Sequence, residues 1–364
     1  MCQFVSQGIL ITGNLGYVGQ ELVTQLSRVP RFLIGVDLDL YGNKSQESKF
    51  NFSNSPIQFE SIVDVPNSLL SKTSCIIHLA GLPNDEIGKI DYRLTHLLTH
   101  ESALQTAKIA KAAGIRRFIF ASSCSVYGRS PGLLLSESSE PAPMTSYALS
   151  KFRTELDLGR LCSSDFSVYL LRIPTLFGWG VNFRNDLFIN EIISRALSQG
   201  FVSILSEGLE FRPILYVRDL VRVFSMIADK DIKEINGRPL NVGFNEFNFR
   251  VIELAKRISQ LMSIPIYLRD SYQNIQDTRD YNVSFSLFES IFPDFRPQMS
   301  LDEQMKETIN QIRNHMSTLG NSVFFQKRIL QFQNQYQSDV SRLSQISKNL
   351  ENQDECYGSC CKSY

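Results

Sequence analysis

Residues 9–19 read Ile-Leu-Ile-Thr-Gly-Asn-Leu-Gly-Tyr-Val-Gly and place three glycines between a strand-length apolar run and a segment with helical spacing. Glycine is favoured there because the chain must turn sharply, a pyrophosphate must approach the main chain and the helix must pack closely on the strand. The first helical amides then attract phosphate oxygens. The segment predicts a dinucleotide site, the alternative being a structural turn. The contacts expected there come from Gly13, Asn14, Leu15, Gly16, Tyr17, Val18 and Gly19.

Asp37 ends the next predicted strand. A carboxylate at this place can accept hydrogen bonds from both ribose hydroxyls of NAD, and it repels the additional phosphate of NADP. No arginine follows immediately to hold such a phosphate. The sequence therefore favours NAD as the cofactor. The alternatives are that Asp37 only caps the following turn, or that Asp39 shares the contact.

Apolar runs of strand length alternate with segments of helical period through the first half of the chain. This alternation is typical of a parallel sheet covered by helices on both faces. One segment, Leu94 to Ala113, predicts a single long helix that ends at Gly114. We expect an α/β fold with a Rossmann-like, doubly wound parallel sheet. Its predicted strands are Gly8–Thr12, Phe32–Asp37, Cys75–Ala80, Phe118–Ser122 and Ser167–Arg172.

The second half of the chain has shorter elements and frequent prolines, which favours a smaller C-terminal lobe closed by a polar helix from Leu301 to about Met316. Residues Val323 to Leu350 carry apolar side chains at three- or four-residue intervals and predict an amphipathic helix. The expected units are a Rossmann domain at residues 1–178, a substrate lobe at 179–316 that is partly interleaved with it, and a helical tail at 317–364. The tail is expected either to engage another helix or to pack on its own domain.

The composition is that of a soluble globular protein and excludes several classes of function. The 364 residues include 37 lysines plus arginines and 37 aspartates plus glutamates, so no overall charge attracts nucleic acid or an acidic membrane. No apolar run is long enough for a bilayer helix, and no leader peptide is recognisable. Seven scattered cysteines do not form a disulfide framework, which favours a cytoplasmic location. Cys356, Cys360 and Cys361 have no histidine nearby, so we expect no metal site.

Tyr147 and Lys151 are four residues apart, so on a helix their side chains share one face. A lysine ammonium there favours the phenolate form of the tyrosine, which can then take up and return a proton. Ser123 follows a predicted strand at the edge of the sheet where open α/β folds bind ligands. It can hydrogen-bond the oxygen whose proton Tyr147 moves, although serines also commonly end strands for structural reasons.

The sequence resembles the extended short-chain dehydrogenase/reductase family, in particular its nucleotide-sugar epimerase/dehydratase branch. The resemblance runs from about Gly8 to Ile312 and rests on motifs in a fixed order. They are Thr12 to Gly19, Asp37, His78-Leu-Ala-Gly81, Ser122 to Gly128, Tyr147 to Lys151, Leu171 to Gly178 and Arg212 to Asp219.

This resemblance implies that Ser123, Tyr147 and Lys151 are the catalytic residues. It also implies that Tyr147 and Lys151 contact NAD, Lys151 at the nicotinamide ribose, and that Leu79 and Ala80 contact NAD as well. It further implies that Asn190, Arg212 and Arg279 bind the nucleotide-sugar substrate, the two arginines by paired donors to the diphosphate. A homodimer is expected.

The sequence departs from the family pattern at several positions. Dehydratases of this branch have acidic residues after the catalytic serine, where this chain has Cys124 and Ser125, so dehydration is not expected. Some related sugar epimerases use a cysteine near this point, but strand alternation favours a packing role for Cys124. His78 is expected to be structural. The usual asparagine of the long helix is replaced by Thr99.

We therefore predict an NAD-dependent nucleotide-sugar epimerase that transiently oxidises a sugar hydroxyl to a ketone. One alternative is a reductase or dehydrogenase that exchanges hydride with external NADH or NADPH. The other is a cofactor-binding scaffold without catalysis, which uses its tail helix to engage a partner. The intact set of Ser123, Tyr147 and Lys151 argues against a scaffold.

Overall fold

The computed structural model describes residues 8–39, 56–82, 92–204, 206–268 and 280–319. The strands are β1 (Gly8–Thr12), β2 (Leu33–Val36), β3 (Ile57–Phe59), β4 (Thr73–His78), β5 (Arg117–Ser123), β6 (Arg129–Leu135), β7 (Ser167–Ile173), β8 (Thr175–Phe177), β9 (Val202–Ile204), β10 (Phe211–Tyr216), β11 (Pro239–Asn241), β12 (Asn248–Arg250), β13 (Ile266–Leu268) and β14 (Asp280–Val283). The helices are α1 (Tyr17–Leu26), α2 (Asn67–Leu70), α3 (Tyr92–His96), α4 (Ser102–Ala112), α5 (Ser146–Leu161), α6 (Phe188–Gln199), α7 (Val217–Ala228), α8 (Val251–Met262), α9 (Ser286–Ile291) and α10 (Leu301–Leu319).

Seven strands form one parallel sheet in the order β11-β7-β5-β4-β1-β2-β3. The strand order reverses at β1, which pairs with β2 on one side and β4 on the other. Ligands of open α/β sheets bind at such a reversal, outside the carboxyl ends of the strands. The predicted Rossmann-like, doubly wound fold is confirmed, and the sheet places a ligand crevice beyond the ends of β1 and β4.

Both faces of the sheet are buried, which explains why its strands read as continuous apolar runs. On β1, Ile9 and Ile11 join the core beneath α1 and α7, whereas Leu10 joins the core beneath α4 and α5. This alternation follows from the two-residue period of a strand. Because both faces of the sheet pack against helices, its carboxyl edge is held rigidly in place and can position the residues of a site.

Among the described residues, three further small sheets have the strand orders β12-β10-β8, β13-β9 and β14-β6. In two of them, strands after residue 178 pair with β8 and β6, which precede it. The second half of the chain also returns to the first, because β11 pairs with β7 in the large sheet and α7 packs on α1. The domain boundary at residue 178 stays a prediction.

The long predicted helix from Leu94 to Ala113 is interrupted. A π-helical turn, Leu97–Glu101, separates α3 from α4. Three-residue strands β3 and β11 escape prediction because they are too short for a periodic signal. In the described ranges, no helix combines the length and the apolar character needed to cross a membrane. Several residues singled out from the sequence lie outside the described ranges: Arg279, residues 323–350, for which a tail helix is predicted, and Cys356, Cys360 and Cys361.

Candidate active site

The glycine loop after β1 lies directly on the end of β4. Gly13 has a φ of 71°, and a Cβ atom there would come within 2.7 Å of the amide nitrogen of Ala80, next to Leu79. At Gly19 a Cβ atom would overlap the carbonyl oxygen of Gly13, so the helix must approach the loop closely. At Gly16, by contrast, a Cβ atom would meet only the Gly13 carbonyl oxygen, at 3.2 Å. Gly16 thus leaves an open cradle at the start of α1, which suits a pyrophosphate.

Asp37 stands beside this loop, just beyond β2. Its Oδ2 atom accepts a 3.0 Å hydrogen bond from the Leu15 amide, and its Oδ1 atom accepts a 2.8 Å hydrogen bond from the Asp39 amide. The residue therefore both caps the turn and brings its carboxylate to the glycine loop. Its position fits the ribose contact expected from the sequence.

The side chains of Asn14 and Tyr17 point away from the cradle. Asn14 Nδ2 donates a 2.8 Å hydrogen bond to Gln58 Oε1, and the Tyr17 hydroxyl donates a 2.9 Å hydrogen bond to the Gly178 carbonyl. Burial raises the pKa of Tyr17 well above its usual value. Val18 packs against the core. These three residues can therefore meet a cofactor through main-chain groups, while their side chains hold the loop.

Helix α5 presents Tyr147 and Lys151 to the end of β5. The helix begins after Thr145, whose hydroxyl accepts a hydrogen bond from the Ala148 amide. The Nζ atom of Lys151 lies 5.8 Å from the centre of the Tyr147 ring and donates a 2.7 Å hydrogen bond to the Ala121 carbonyl. Ser123 follows two residues later on the same strand, and its Oγ atom accepts a hydrogen bond from the Ser125 amide. The structure thus gathers the three predicted catalytic residues around the end of one strand.

Lys151 is nearly inaccessible to solvent, with 5% of its surface exposed. Burial lowers the pKa of Lys151 to about 7, and the nearby carboxylate of Glu155 acts in the opposite direction. His78 is buried close by, and burial together with the charge of Lys151 lowers the pKa of His78 to about 3. His78 Nδ1 lies 2.9 Å from the Thr12 hydroxyl. His78 is therefore neutral and links the ends of β1 and β4, which fits the structural role expected for it.

A buried polar network lies directly behind the site and was not anticipated from the sequence. Glu155 pairs with Arg172 through hydrogen bonds of 2.7 to 3.1 Å and also accepts a short hydrogen bond from the Ser122 hydroxyl. Arg172 donates to the Tyr127 hydroxyl, which in turn donates to Asn241. The one available signal is that Glu155 stands one helical turn beyond Lys151, on the same face of α5.

Cys124 packs behind the site as well. Its thiol is fully buried and lies 3.4 Å from the Arg172 carbonyl, to which it donates a hydrogen bond. Burial raises the pKa of Cys124 well above that of a free thiol. The side chain therefore stays protonated and enclosed, as the packing interpretation predicts.

Of the predicted substrate residues, Asn190 and Arg212 are described by the structure, and they have different surroundings. Asn190 is fully buried, and its amide bonds the main chain on both sides, donating to the carbonyls of Gly178 and Arg184 and accepting from the Gly178 amide. Its side chain thus holds the turn after β8, and the Gly178 carbonyl connects it to Tyr17. Arg212 lies on β10, almost fully buried, with its guanidinium 5.7 Å from the ring centre of Tyr281.

A family model described as the NAD dependent epimerase/dehydratase family matches residues 9–243, well over half of the chain. The chain belongs to this family. The match covers the glycine loop, Asp37 and all three predicted catalytic residues. The resemblance to the extended short-chain dehydrogenase/reductase family and its nucleotide-sugar branch is confirmed. The protein is accordingly an NAD-dependent enzyme of the extended short-chain dehydrogenase/reductase type.

Individual members of this family are similar over most of their length. The uncharacterised UDP-glucose epimerase YtcB of Bacillus subtilis (strain 168) is 26% identical over 272 residues, which are 69% of this chain and 82% of that protein. The structure of MoeE5 in complex with UDP-glucuronic acid and NAD has a TM-score of 0.70 and 25% identity, and the alignment covers 84% of this chain and 99% of that one. The UDP-N-acetylglucosamine 4-epimerase of Methanobrevibacter ruminantium M1 has the same fold, with a TM-score of 0.74 at 23% identity over 85% of this chain and 99% of that one.

Proposed function

We propose that this enzyme is a nucleotide-sugar epimerase that inverts a sugar carbon by oxidising its hydroxyl to a ketone and reducing the ketone again. The observation that carries the proposal is the placement of Tyr147 beside the buried Lys151 at the carboxyl end of β5. The glycine loop leaves the same edge of the sheet at β1, two strands away. A phenol, an ammonium and a dinucleotide cradle at one edge provide for proton and hydride transfer at the same carbon.

In this mechanism Tyr147 removes the proton of the sugar hydroxyl, and Ser123 donates a hydrogen bond to the same oxygen. Lys151 stabilises the phenolate by its charge, and its N–H groups would bind the ribose of the nicotinamide. Bound NAD would supply a reversible hydride acceptor for the sugar carbon. Rotation of the ketone before it is reduced would present its opposite face, and Tyr147 would then return the proton, so that the carbon would be inverted with no net use of cofactor.

The surroundings of Ser123 favour epimerisation over dehydration. Loss of water needs an acid or base at a neighbouring carbon, and the two residues after Ser123 are Cys124 and Ser125. The Cys124 thiol is buried and bonded to a carbonyl. The carboxylate behind the site, Glu155, is occupied by Arg172 and Ser122. None of these groups supports the second proton transfer that a dehydratase requires.

The nucleotide sugar is proposed to lie between the sheet and the second lobe. We assign the diphosphate to Arg212 and Arg279, because guanidinium groups bind phosphate oxygens in pairs. The bound UDP-sugars named for MoeE5 and the methanogen epimerase support this substrate class. Asn190 contributes by fixing the turn at Gly178 beside the site.

A homodimer in the cytoplasm is part of the proposal. Helix α5 exposes Leu149 and Leu156, which lie seven residues apart and therefore on one face. An apolar seam of this kind suits a matching helix from a second copy. Measurement of the mass in solution, for the wild type and for Leu156→Asp, tests this part.

The reaction is tested by incubating the full-length protein with a panel of nucleotide sugars, with and without added NAD. Isomers separated by chromatography, with no net gain in the absorbance of reduced nicotinamide, are the expected result. Stoichiometric accumulation of reduced cofactor would instead indicate a dehydrogenase, and loss of water from the sugar would indicate a dehydratase. Either outcome contradicts the proposed epimerase.

A further inference from the structure

Two of the four histidines are close together in the chain: His96 is the last residue of α3, and His100 lies in the π-helical turn that follows it. His96 Nε2 and His100 Nδ1 are 3.2 Å apart. The Oε1 atom of Glu101 lies 3.1 Å from His96 Nε2 and 3.3 Å from His100 Nδ1. Three potential ligand atoms thus form a nearly equilateral triangle.

The dimensions of this triangle match those of a metal site. Zinc binds imidazole nitrogens and carboxylate oxygens at about 2.0 to 2.2 Å in tetrahedral geometry, which sets the ligand atoms roughly 3.4 Å apart. The observed separations lie within a few tenths of an ångström of that spacing. Histidines four residues apart on one helical face are also a common zinc-binding pair.

A fourth residue orients the more buried ligand. Asp157 Oδ2 on α5 lies 2.9 Å from His100 Nε2 and accepts its hydrogen bond. The proton is thereby assigned to Nε2, and Nδ1 is left to face His96 and Glu101. Metal-binding histidines characteristically bond a carboxylate through their other nitrogen, which fixes the ring and increases its basicity.

Solvent can reach the cluster from one side. The His100 side chain is 8% exposed, whereas His96 is 31% exposed and Glu101 is 43% exposed. An ion can therefore enter, and water can complete its coordination. Two imidazoles and one carboxylate suit zinc and its transition-metal neighbours, whereas Mg²⁺ and Ca²⁺ prefer oxygen ligands throughout.

We propose that His96, His100 and Glu101 bind a divalent transition-metal ion of the zinc type, with Asp157 orienting His100. The ion would link the π-helical turn to α5, the helix that carries Tyr147 and Lys151. The same turn contains Thr99, whose hydroxyl accepts a hydrogen bond from the Leu82 amide in the segment after β4. The metal thus has a structural role: it stabilises the contact between the π-helical turn and α5, which both border the site, and it takes no part in hydride transfer.

The test measures metal binding directly in the full-length protein. Cys356, Cys360 and Cys361 are first changed to serine so that thiolates in the tail do not compete for the ion. Zn²⁺ affinity is then determined by competition with a chromophoric chelator, and Co²⁺ absorption reports the ligands. We expect about one equivalent of metal, with visible bands of nitrogen and oxygen ligands and no thiolate charge-transfer band.

The variants separate a built site from scattered surface binding. His96→Ala and His100→Ala should each weaken Zn²⁺ binding by at least about tenfold, and Asp157→Asn by about tenfold although it removes no ligand. His315→Ala, a histidine on α10 that stacks on Trp179 at 4.3 Å, is the matched control and should bind as the parent does. Because His100→Ala also removes the link to α5, the exposed Glu101→Gln provides a variant that keeps the fold. Equal affinity in the parent, His96→Ala and Glu101→Gln would overturn the proposal.

Discussion

Lys151 donates its 2.7 Å hydrogen bond to the carbonyl oxygen of Ala121, so the ammonium is attached to the strand that ends in Ser123. The Nζ atom also lies 4.6 Å from the centre of the Phe120 ring. The Lys151 ammonium is therefore close to Tyr147, with Nζ 5.8 Å from the ring centre, but it has lost most of its hydration. Burial accordingly lowers the pKa of Lys151 to about 7, from 10.5 for a free lysine.

This shift predicts a definite dependence of stability on pH. The folded protein binds the Lys151 proton less tightly than the unfolded chain does. The buried ammonium therefore lowers the free energy of unfolding by its full amount below pH 7, and this destabilisation declines as the pH rises towards 10.5. Relative to Lys151→Met, the wild type should gain up to about 1.4 kcal/mol per pH unit across that range. Urea unfolding of both proteins at pH 6, 8 and 10 measures the difference.

Lys256→Met, at an exposed position on α8, is the matched control and should show no such trend. A constant difference in unfolding free energy between the wild type and Lys151→Met at all three values would contradict the burial argument.

The buried pair Arg172 and Glu155 should be strongly coupled, since the two side chains are 3% and 4% exposed. Removing one partner leaves the other as an unpaired buried charge, so Arg172→Met and Glu155→Leu should each lower the free energy of unfolding by about 3–5 kcal/mol. The double variant should lose clearly less than the sum. Glu191→Gln, in the exposed pair with Arg195, should cost under about 1 kcal/mol. Additive losses in the double-mutant cycle would show that the pair does not act as a unit.

Substitutions in the glycine loop should distinguish an effect on cofactor binding from an effect on folding. Gly16→Ala places a methyl group in the open cradle and meets one main-chain oxygen at 3.2 Å, so it should fold normally and bind NAD at least about tenfold more weakly. Gly19→Ala forces a methyl group into the Gly13 carbonyl and should lower both the melting temperature and NAD affinity. Calorimetric titration with NAD and thermal unfolding measure the two effects. Unchanged NAD affinity in Gly16→Ala would place the cofactor elsewhere.

Cofactor preference should depend on the charge of Asp37. Asp37→Asn keeps an oxygen that can accept the Leu15 amide but removes the repulsion towards the 2′-phosphate of NADP. The preference for NAD over NADP should narrow by about tenfold, the effect of one nearby charge. Dissociation constants for both cofactors provide the comparison. Equal binding of NAD and NADP by the wild type would disprove the role of this carboxylate.

The elements with a strong periodic signal could be predicted from the sequence. Strand β1 has its predicted bounds, and β5 differs by one residue at each end, because buried parallel strands give uninterrupted apolar runs. The π-helical turn was missed, since one additional residue leaves the apolar spacing of Leu94 to Ala113 almost unchanged. Asp157, which bonds His100, and Arg172 and Ser122, which bond Glu155, lie on other elements, so only the folded chain brings these partners together.

The site was predicted unevenly for the same reason. Tyr147 and Lys151 share a helix, and four-residue spacing is sufficient to place them side by side. The substrate contact of Asn190 stays a prediction, whereas the hydrogen bonds of its side chain to the main chain of Gly178 and Arg184 could not be foreseen. Hydrogen bonds from a side chain to the main chain of residues elsewhere in the sequence leave no pattern from which they could be predicted.

The most direct test of the account is the single change Tyr147→Phe, which removes one oxygen and leaves Lys151, Ser123 and the glycine loop in place. Turnover of a nucleotide sugar should fall by about 100-fold or more, while the Kd for NAD stays within about threefold of the wild-type value because the phenol oxygen supplies at most one contact. Turnover that survives this substitution would contradict the account.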